Sequence, residues 1–219
     1  MTYKLLDLFS GAGGAARGYQ LAGFHVTGVD NRPQPRYCGD AFIQADALEY
    51  VAEHGREFDA IHASPPCQLW SRVGNHSRRA GKIYPDYISP IRPHLFALGK
   101  PFIIENVVGA PLVDPLLLCG SMFDPPLNVR RHRLFEVGFP IEPPIWPCRH
   151  ALMGPRFEVY EHYKKRLTST VRVNGGYTKG AAEAMQINWR THKELVESIP
   201  PAYTEFIGRV LMQVLEHGR

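Results

Sequence analysis

The sequence predicts an α/β fold built on an open, largely parallel sheet with helices on both faces. Three observations carry this expectation. Strand-like apolar runs alternate with helical patterns through the first half of the chain, at the spacing of βαβ units. A glycine-rich turn joins the first strand to the first helix. Aspartates close the second and third strands, at the carboxyl edge where open sheets gather ligands.

Lys4–Phe9 is an apolar run with a strand signature, followed by the turn Ser10-Gly11-Ala12-Gly13-Gly14 and a helical pattern over Ala15–Ala22. Phe24–Asp30 reads as a second strand, Ala41–Ala45 as a third and Asp46–His54 as a helix. Phe58–Ala63 and Pro101–Glu105 supply two more strands. Between them, Arg72 to Pro93 is long, polar and without clear periodicity, which predicts a mobile cover over whatever site Cys67 opens. After Leu134-Phe135-Glu136-Val137, the prolines at 140, 143, 144 and 147 mark a boundary or linker. Residues 150–185 are polar and basic with weak patterning. A helical pattern returns from Thr191 to Leu215, broken at Pro200-Pro201. The expected division is 1–137, 138–188 and 189–219, the last a helical segment packing back on the first.

A chain of 219 residues can bury one full core. Its 44% hydrophobic and 21% charged content suits a globular protein, and no apolar run approaches the ~20 residues of a membrane span. Met1-Thr2-Tyr3-Lys4 leads straight into a strand-like run without a signal-peptide layout, so a cytoplasmic protein with no membrane partner is expected. The cysteines at 38, 67, 119 and 148 form no CxxC pair. Cys148-Arg149-His150 offers two metal ligands, but no second pair has matching spacing, so a surface loop and no metal are expected. Cys38 and Cys119 read as structural thiols.

Net charge is +4, and the basic residues cluster: Arg72, Arg78, Arg79 and Lys82 without an acidic residue between Trp70 and Tyr84, then Arg130-Arg131-His132-Arg133, then Lys164-Lys165-Arg166. Such clusters are a footprint of phosphate binding, although solvated loops carry them too.

Cys67 stands behind two prolines at the end of the fourth strand, in Ala63-Ser64-Pro65-Pro66-Cys67-Gln68. The prolines stiffen the turn that presents the thiol. A buried structural cysteine and a nucleophile activated by a lowered pKa both fit that position. The glycines at 11, 13 and 14 let backbone approach a ligand at a helix N-terminus, in a GxGG spacing that differs from the dinucleotide fingerprint. Asp30 is placed to accept ribose hydroxyls, and Asp46 either meets an adenine amino group or caps the helix it opens. Together they suit an adenosine-containing ligand without a phosphate chain.

Asp7-Leu8-Phe9-Ser10-Gly11-Ala12-Gly13-Gly14, Pro65-Pro66-Cys67-Gln68, Glu105-Asn106-Val107 and Arg131-His132-Arg133 resemble, in order, the motifs of the cytosine-C5 DNA methyltransferases. Ile199-Pro200-Pro201-Ala202-Tyr203-Thr204-Glu205 resembles the closing motif of compact, phage-type members. The likeness implies a Rossmann-like, doubly wound class I methyltransferase fold with S-adenosylmethionine as cofactor, working alone or beside a restriction nuclease. It implies that Cys67 attacks C6 of a flipped cytosine, that Glu105 holds the N3 and amino edge, and that Arg133 and Arg131 support the base or a phosphate. Phe9, Ser10, Gly11, Gly13, Gly14, Asp30, Asp46 and Pro65 would form the cofactor site, closed by Tyr203 and Thr204. Gln68, Ser71, Arg72, Arg78, Arg79 and Lys82 would track DNA. A monomer is expected.

Val129 stands where the family has a glutamine, and Trp70-Ser71 replaces its Phe-Ser. Only about 55 residues separate Arg133 from the closing helical region, against ~100 or more for a full recognition domain. The reduced module would read few base edges and a short site. The same motifs also fit an RNA (tRNA) methyltransferase, or a catalytically silent DNA-binding relative.

Overall fold

A computed structural model describes residues 2–71, 74–127, 129–150, 157–159, 171–173, 182, 185–188 and 191–218. The elements in order are β1 (Lys4–Leu8), α1 (Gly14–Leu21), β2 (His25–Asp30), β3 (Ala41–Gln44), α2 (Ala47–His54), β4 (Ala60–Ala63), α3 (Gly74–Arg79), α4 (Ile88–Leu98) and β5 (Phe102–Asn106). There follow β6 (Leu116–Leu118), β7 (Val129–Arg130), β8 (Arg133–Val137), β9 (Phe157–Val159), β10 (Val171–Val173), α5 (His192–Glu197) and α6 (Pro201–His217).

Seven strands form one sheet in the order β3-β2-β1-β4-β5-β8-β6. The first five are parallel; β8 pairs antiparallel with β5 and β6 antiparallel with β8, so β8 alone runs against the other six. The fold is therefore a doubly wound, mostly parallel α/β sheet. Its order reverses direction between β1 and β4, so the ligand crevice of such sheets opens past Leu8 and Ala63.

Both faces are covered, which explains the continuous apolar strands. Leu5 of β1 joins Tyr19, Tyr203, Ile207 and Leu211 in the core beneath α1 and α6. Its neighbours Leu6 and Leu8 turn to the other face, against Val51, Ile91 and Leu95 of α2 and α4. The seam between α1 and α6 is very close. A Cβ on Gly18 would lie 2.1 Å from Pro201 O and from Thr204 Oγ1. Thr204 Oγ1 donates to Ala15 O at 2.9 Å and so pins the two helices together.

The 72–93 segment carries helix where the sequence shows no clear periodicity. Its described part carries α3 and the start of α4, which is capped by Asp86 accepting from Ile88 N and Ser89 N at 2.8 and 3.3 Å. Ile88, Ile91 and Leu95 are buried on one side of α4, despite Pro93 inside it. Arg92 then clamps Glu136 of β8 through two bonds of 2.7 and 2.9 Å.

Three short strands form a second sheet, β7-β10-β9, all antiparallel. β7 precedes residue 138, so the expected boundary at 137/138 cuts across this sheet. Most of the expected recognition region, Lys164-Lys165-Arg166 included, lies outside the described residues. Among the described residues no helix is long and apolar enough to cross a membrane.

Candidate active site

β1, β4 and β5 are adjacent and parallel, so their carboxyl ends lie side by side at the edge where such sheets open a ligand crevice, and each leads into one of the sequence-predicted groups. After β4 the chain runs through buried Pro65 and exposed Pro66 into a 3-10 turn, Cys67–Leu69. The Cys67 thiol is half-buried. The turn is tied to the next strand: fully buried Asn106 donates from Nδ2 to Pro65 O at 2.9 Å, while its Oδ1 accepts from Val107 N at 2.9 Å. Asn106 was not among the expected site residues, although it stands inside the Glu105-Asn106-Val107 motif.

Glu105, at the end of β5, is 6% exposed and pairs with Arg133 of β8, Nε to Oε1 at 2.8 Å. The contact lies off the N–H direction, so Oε1 keeps unmet hydrogen-bonding capacity. Arg131 is 3% exposed and donates from Nη2 to Val196 O at 2.7 Å. Burial pulls its guanidinium down to about 9, still charged at neutral pH. Burial also pushes the Glu105 carboxyl up, while Arg133 and Arg131 pull it down.

The same two arginines reach Cys67. Burial pushes the thiol up, Arg133 pulls it down, Glu105 pushes it up and Arg131 pulls it down. All four sequence-predicted catalytic residues thus form one electrostatic cluster. The arrangement can hold a neutral thiol at rest and stabilise a thiolate once the Glu105 charge is neutralised.

The glycine turn shows which of its residues face open space. Gly11 has a φ of +50° and nothing within 4 Å of a Cβ position. Gly13 instead receives Cys38 Sγ, 2.9 Å from its Cβ position, and Gly14 receives Ile199 O at 2.7 Å. At both positions the absent side chain makes room for packing, which leaves their backbone amides at the turn. Gly11 N donates to Asp30 Oδ2 at 3.0 Å and Arg32 N to Oδ1 at 3.0 Å, so Asp30 braces the turn from the end of β2. Phe9 carries a φ of 59° and packs its ring 5.6 Å from Tyr87. Beneath the turn, both Asp7 carboxylate oxygens and Ser10 Oγ are buried without a partner. Burial, with Asp30 adding to it, holds the Asp7 carboxyl well above the usual range.

Asp46 caps α2, accepting from Leu48 N at 2.8 Å and Glu49 N at 3.1 Å, which is the alternative its position allowed. Tyr203 and Thr204 are fully buried. Tyr203 donates to Arg131 O at 2.7 Å, so it supports the turn between β7 and β8 from behind and presents no surface to a ligand.

The basic residues divide. Arg78 turns back on the Cys67 loop, donating to Gln68 O and, at 3.1 Å, to Ser71 O. Ser71 Oγ accepts from Gly74 N at 3.1 Å. Gln68, Arg79 and Lys82 are exposed. Arg72 lies outside the described residues. Arg130-Arg131-His132-Arg133 is no solvent-facing phosphate patch, because Arg130 donates to His150 O at 2.8 Å and the other two arginines are engaged internally.

One grouping was invisible in the spacing. The fold brings Cys119 and His132 to Cys148 and His150, with one ligand atom from each all within 4.8 Å of one another. The partner pair that Cys148-Arg149-His150 lacked in sequence is supplied by two distant segments.

A sequence model described as C-5 cytosine-specific DNA methylase matches residues 3–112. The chain is 34% identical over 117 residues to the Type II methyltransferase M.FnuDI of Fusobacterium nucleatum, and 30% identical over 121 residues to M.HindV of Haemophilus influenzae. Each alignment spans 48% of this chain but only 33% and 37% of those relatives. In fold, the chain is similar to the S. pombe Dnmt2 methyltransferase, with a TM-score of 0.62, 14% identity, and 98% and 99% of the two chains covered.

Proposed function

The chain belongs to the C-5 cytosine-specific DNA methylase family, and from that premise we propose that it methylates C5 of cytosine in DNA through a covalent bond between Cys67 and C6. The observation that carries the proposal is the joint placement of Cys67, Glu105, Arg131 and Arg133 at the crevice edge, each coupled electrostatically to the thiol. An extruded cytosine entering there meets the unmet Oε1 of Glu105 with its N3 and amino edge. A Glu105 carboxyl raised by burial shares its proton with N3, which withdraws electrons from C6 and removes the charge that opposes the thiolate.

Cys67, having released its proton to solvent, then forms the S–C6 bond as the thiolate, and the ring electrons move onto C5 and N3. Arg133 and Arg131 keep positive charge beside both the sulfur and the carboxylate throughout. Once C5 carries the methyl group, a water takes the C5 proton, its electron pair restores the C5–C6 double bond, and Cys67 leaves as the thiolate. S-adenosylmethionine, when bound, would supply an electrophilic methyl carbon to C5 and leave as the neutral thioether S-adenosylhomocysteine. Phe9, Ser10, Gly11, Asp30 and Pro65 would hold it, and the unpartnered Ser10 Oγ and Asp7 oxygens beside open Gly11 fit a polar ligand at that turn. Gln68, Arg79 and Lys82 are the exposed groups suited to the DNA strand.

Transfer of labelled methyl from S-adenosylmethionine to duplex DNA, single-stranded DNA and tRNA tests this reading, with 5-fluorocytosine DNA as a trap. The expected result is label in DNA and a denaturation-resistant adduct mapped to Cys67. Undiminished transfer by Cys67→Ser, or label entering tRNA in preference to DNA, would overturn it.

A further inference from the structure

We propose that Cys119, His132, Cys148 and His150 form a structural zinc site that anchors the arginine motif. Three chain segments meet there. Cys119 follows β6 and is fully buried, His132 sits in the turn between β7 and β8, and Cys148 and His150 end the proline-rich stretch. Cys148 Sγ lies 3.0 Å from His150 Nε2 and 3.3 Å from His132 Nε2, and Cys119 Sγ lies 3.1 Å from His150 Nε2. A tetrahedral zinc with Zn–S near ~2.3 Å and Zn–N near ~2.0 Å sets its ligand atoms roughly 3.3–3.8 Å apart. The three close sulfur–nitrogen pairs would lengthen by a few tenths of an ångström to receive the ion, and the widest separation, within 4.8 Å, would shorten by about 1 Å.

The donor set chooses the metal. Two thiols and two imidazoles make a soft S2N2 set that suits zinc rather than magnesium or calcium. Two thiolates also neutralise the divalent charge. Four protein ligands close the coordination sphere, the mark of a structural rather than a catalytic site. An outer layer is present as well. Ser121 Oγ lies 3.5 Å from Cys119 Sγ and 3.3 Å from Cys148 Sγ, and accepts from Arg149 N at 3.0 Å. Arg130 holds the His150 carbonyl at 2.8 Å.

The site answers a local need. Residues 138–149 contain no helix or strand; Phe139 and Ile141 pack on the core, but most of 142–148 is exposed, with Ile145 and Trp146 at 91% and 44%, so burial does little to fix that later part. A metal would staple it to the end of β6 and to the His132 turn. His132 lies between Arg131 and Arg133, so the ion sets the position of both arginines at the crevice. It acts on them through backbone and touches neither substrate nor cofactor.

Metal content of the purified reduced chain, measured by plasma mass spectrometry, tests the proposal beside titration with cobalt(II). One equivalent of zinc per chain is expected, and cobalt should give the visible bands of a tetrahedral site with thiolate charge transfer. Cys148→Ser, at the exposed ligand, should lower zinc affinity at least tenfold, and a chelator should lower the melting temperature of the wild type but not of this variant. Cobalt titration of the wild type stands even where Cys119→Ala fails to fold. Absence of both zinc and cobalt uptake, a Cys119–Cys148 disulfide in the reduced-purified chain, or full zinc retention by Cys148→Ser would each overturn the site.

Discussion

Replacing Asn106 by alanine isolates the contact that registers the thiol against the carboxyl. The wild-type side chain spans two strand ends, donating to Pro65 O and accepting from Val107 N, both at 2.9 Å. Alanine leaves that carbonyl and that amide without partners, at about 1–3 kcal/mol each, so a loss of about 2–6 kcal/mol is expected in urea unfolding. Pro65 lies two residues before Cys67, and a shift of the loop by ~1 Å costs on the order of 100-fold in a reaction that depends on alignment. Single-turnover methyl transfer, measured where both proteins are folded, reads the second effect. Asn106→Asp serves as the companion, because it keeps the acceptor for Val107 N and loses the donor to Pro65 O. It should share most of the rate loss. A destabilised Asn106→Ala protein that still turns over within threefold of wild type would refute the reasoning, for the bond would then hold the fold and not the thiol.

Three further outcomes follow from the same geometry. Glu105→Gln removes the charge that pushes the Cys67 thiol up, so alkylation of Cys67 near pH 8 should speed several-fold while methyl transfer falls by about 100-fold or more; an unchanged alkylation rate would deny the coupling. His62 is fully buried against Tyr19 OH at 2.9 Å, and burial lowers its imidazole to about 3. The unfolded chain binds that proton below about pH 6.5 while the folded one does not, so stability falls as pH drops through this window, by about 4–5 kcal/mol at its lower end. Urea midpoints from pH 7 to pH 4 should therefore slope less in His62→Gln than in wild type. Gly18→Ala places a methyl 2.1 Å from Pro201 O and Thr204 Oγ1, and should cost about 3 kcal/mol or more as α1 and α6 part; a melting shift worth under ~1 kcal/mol would contradict the close seam.

Of the five parallel strands, β1, β2, β4 and β5 were legible because they are buried on both faces, which writes a plain apolar run into the sequence, while the partly exposed edge strand β3 showed as a shorter one. Leu5 and Leu6 can face opposite ways and both be core. α4 was not legible, because Pro93 breaks its pattern while Ile88, Ile91 and Leu95 still share the buried side. The arginine motif misled in another way. Clustered positive charge reads as a phosphate footprint, yet partners for Arg130, Arg131 and Arg133 come from residues 150, 196 and 105. Local composition carries no trace of such long-range pairing. The Cys/His cluster failed to show for the same reason, since its ligands come from three segments that only the fold unites.

The glycine turn carries the sharper lesson about site residues. Three glycines before a helix suggest one purpose, close backbone approach to a ligand, but the positions divide by what a Cβ would meet. Gly13 yields room to Cys38 from the loop after β2, and Gly14 to Ser198 and Ile199 from the start of the closing motif. Only Gly11, of these three, faces open space. The two packing glycines therefore answer to the Ile199-Pro200-Pro201 segment and to Cys38, and a bulkier residue at 14 should first displace the C-terminal helix, weakening cofactor binding only through that movement. Tyr203 follows the same logic from the other end of the chain: its hydroxyl holds Arg131 O while its ring stacks on Phe123 at 5.4 Å. The closing motif thus acts on the crevice through the backbone of the turn between β7 and β8 and the floor of the glycine turn, from the buried side of both.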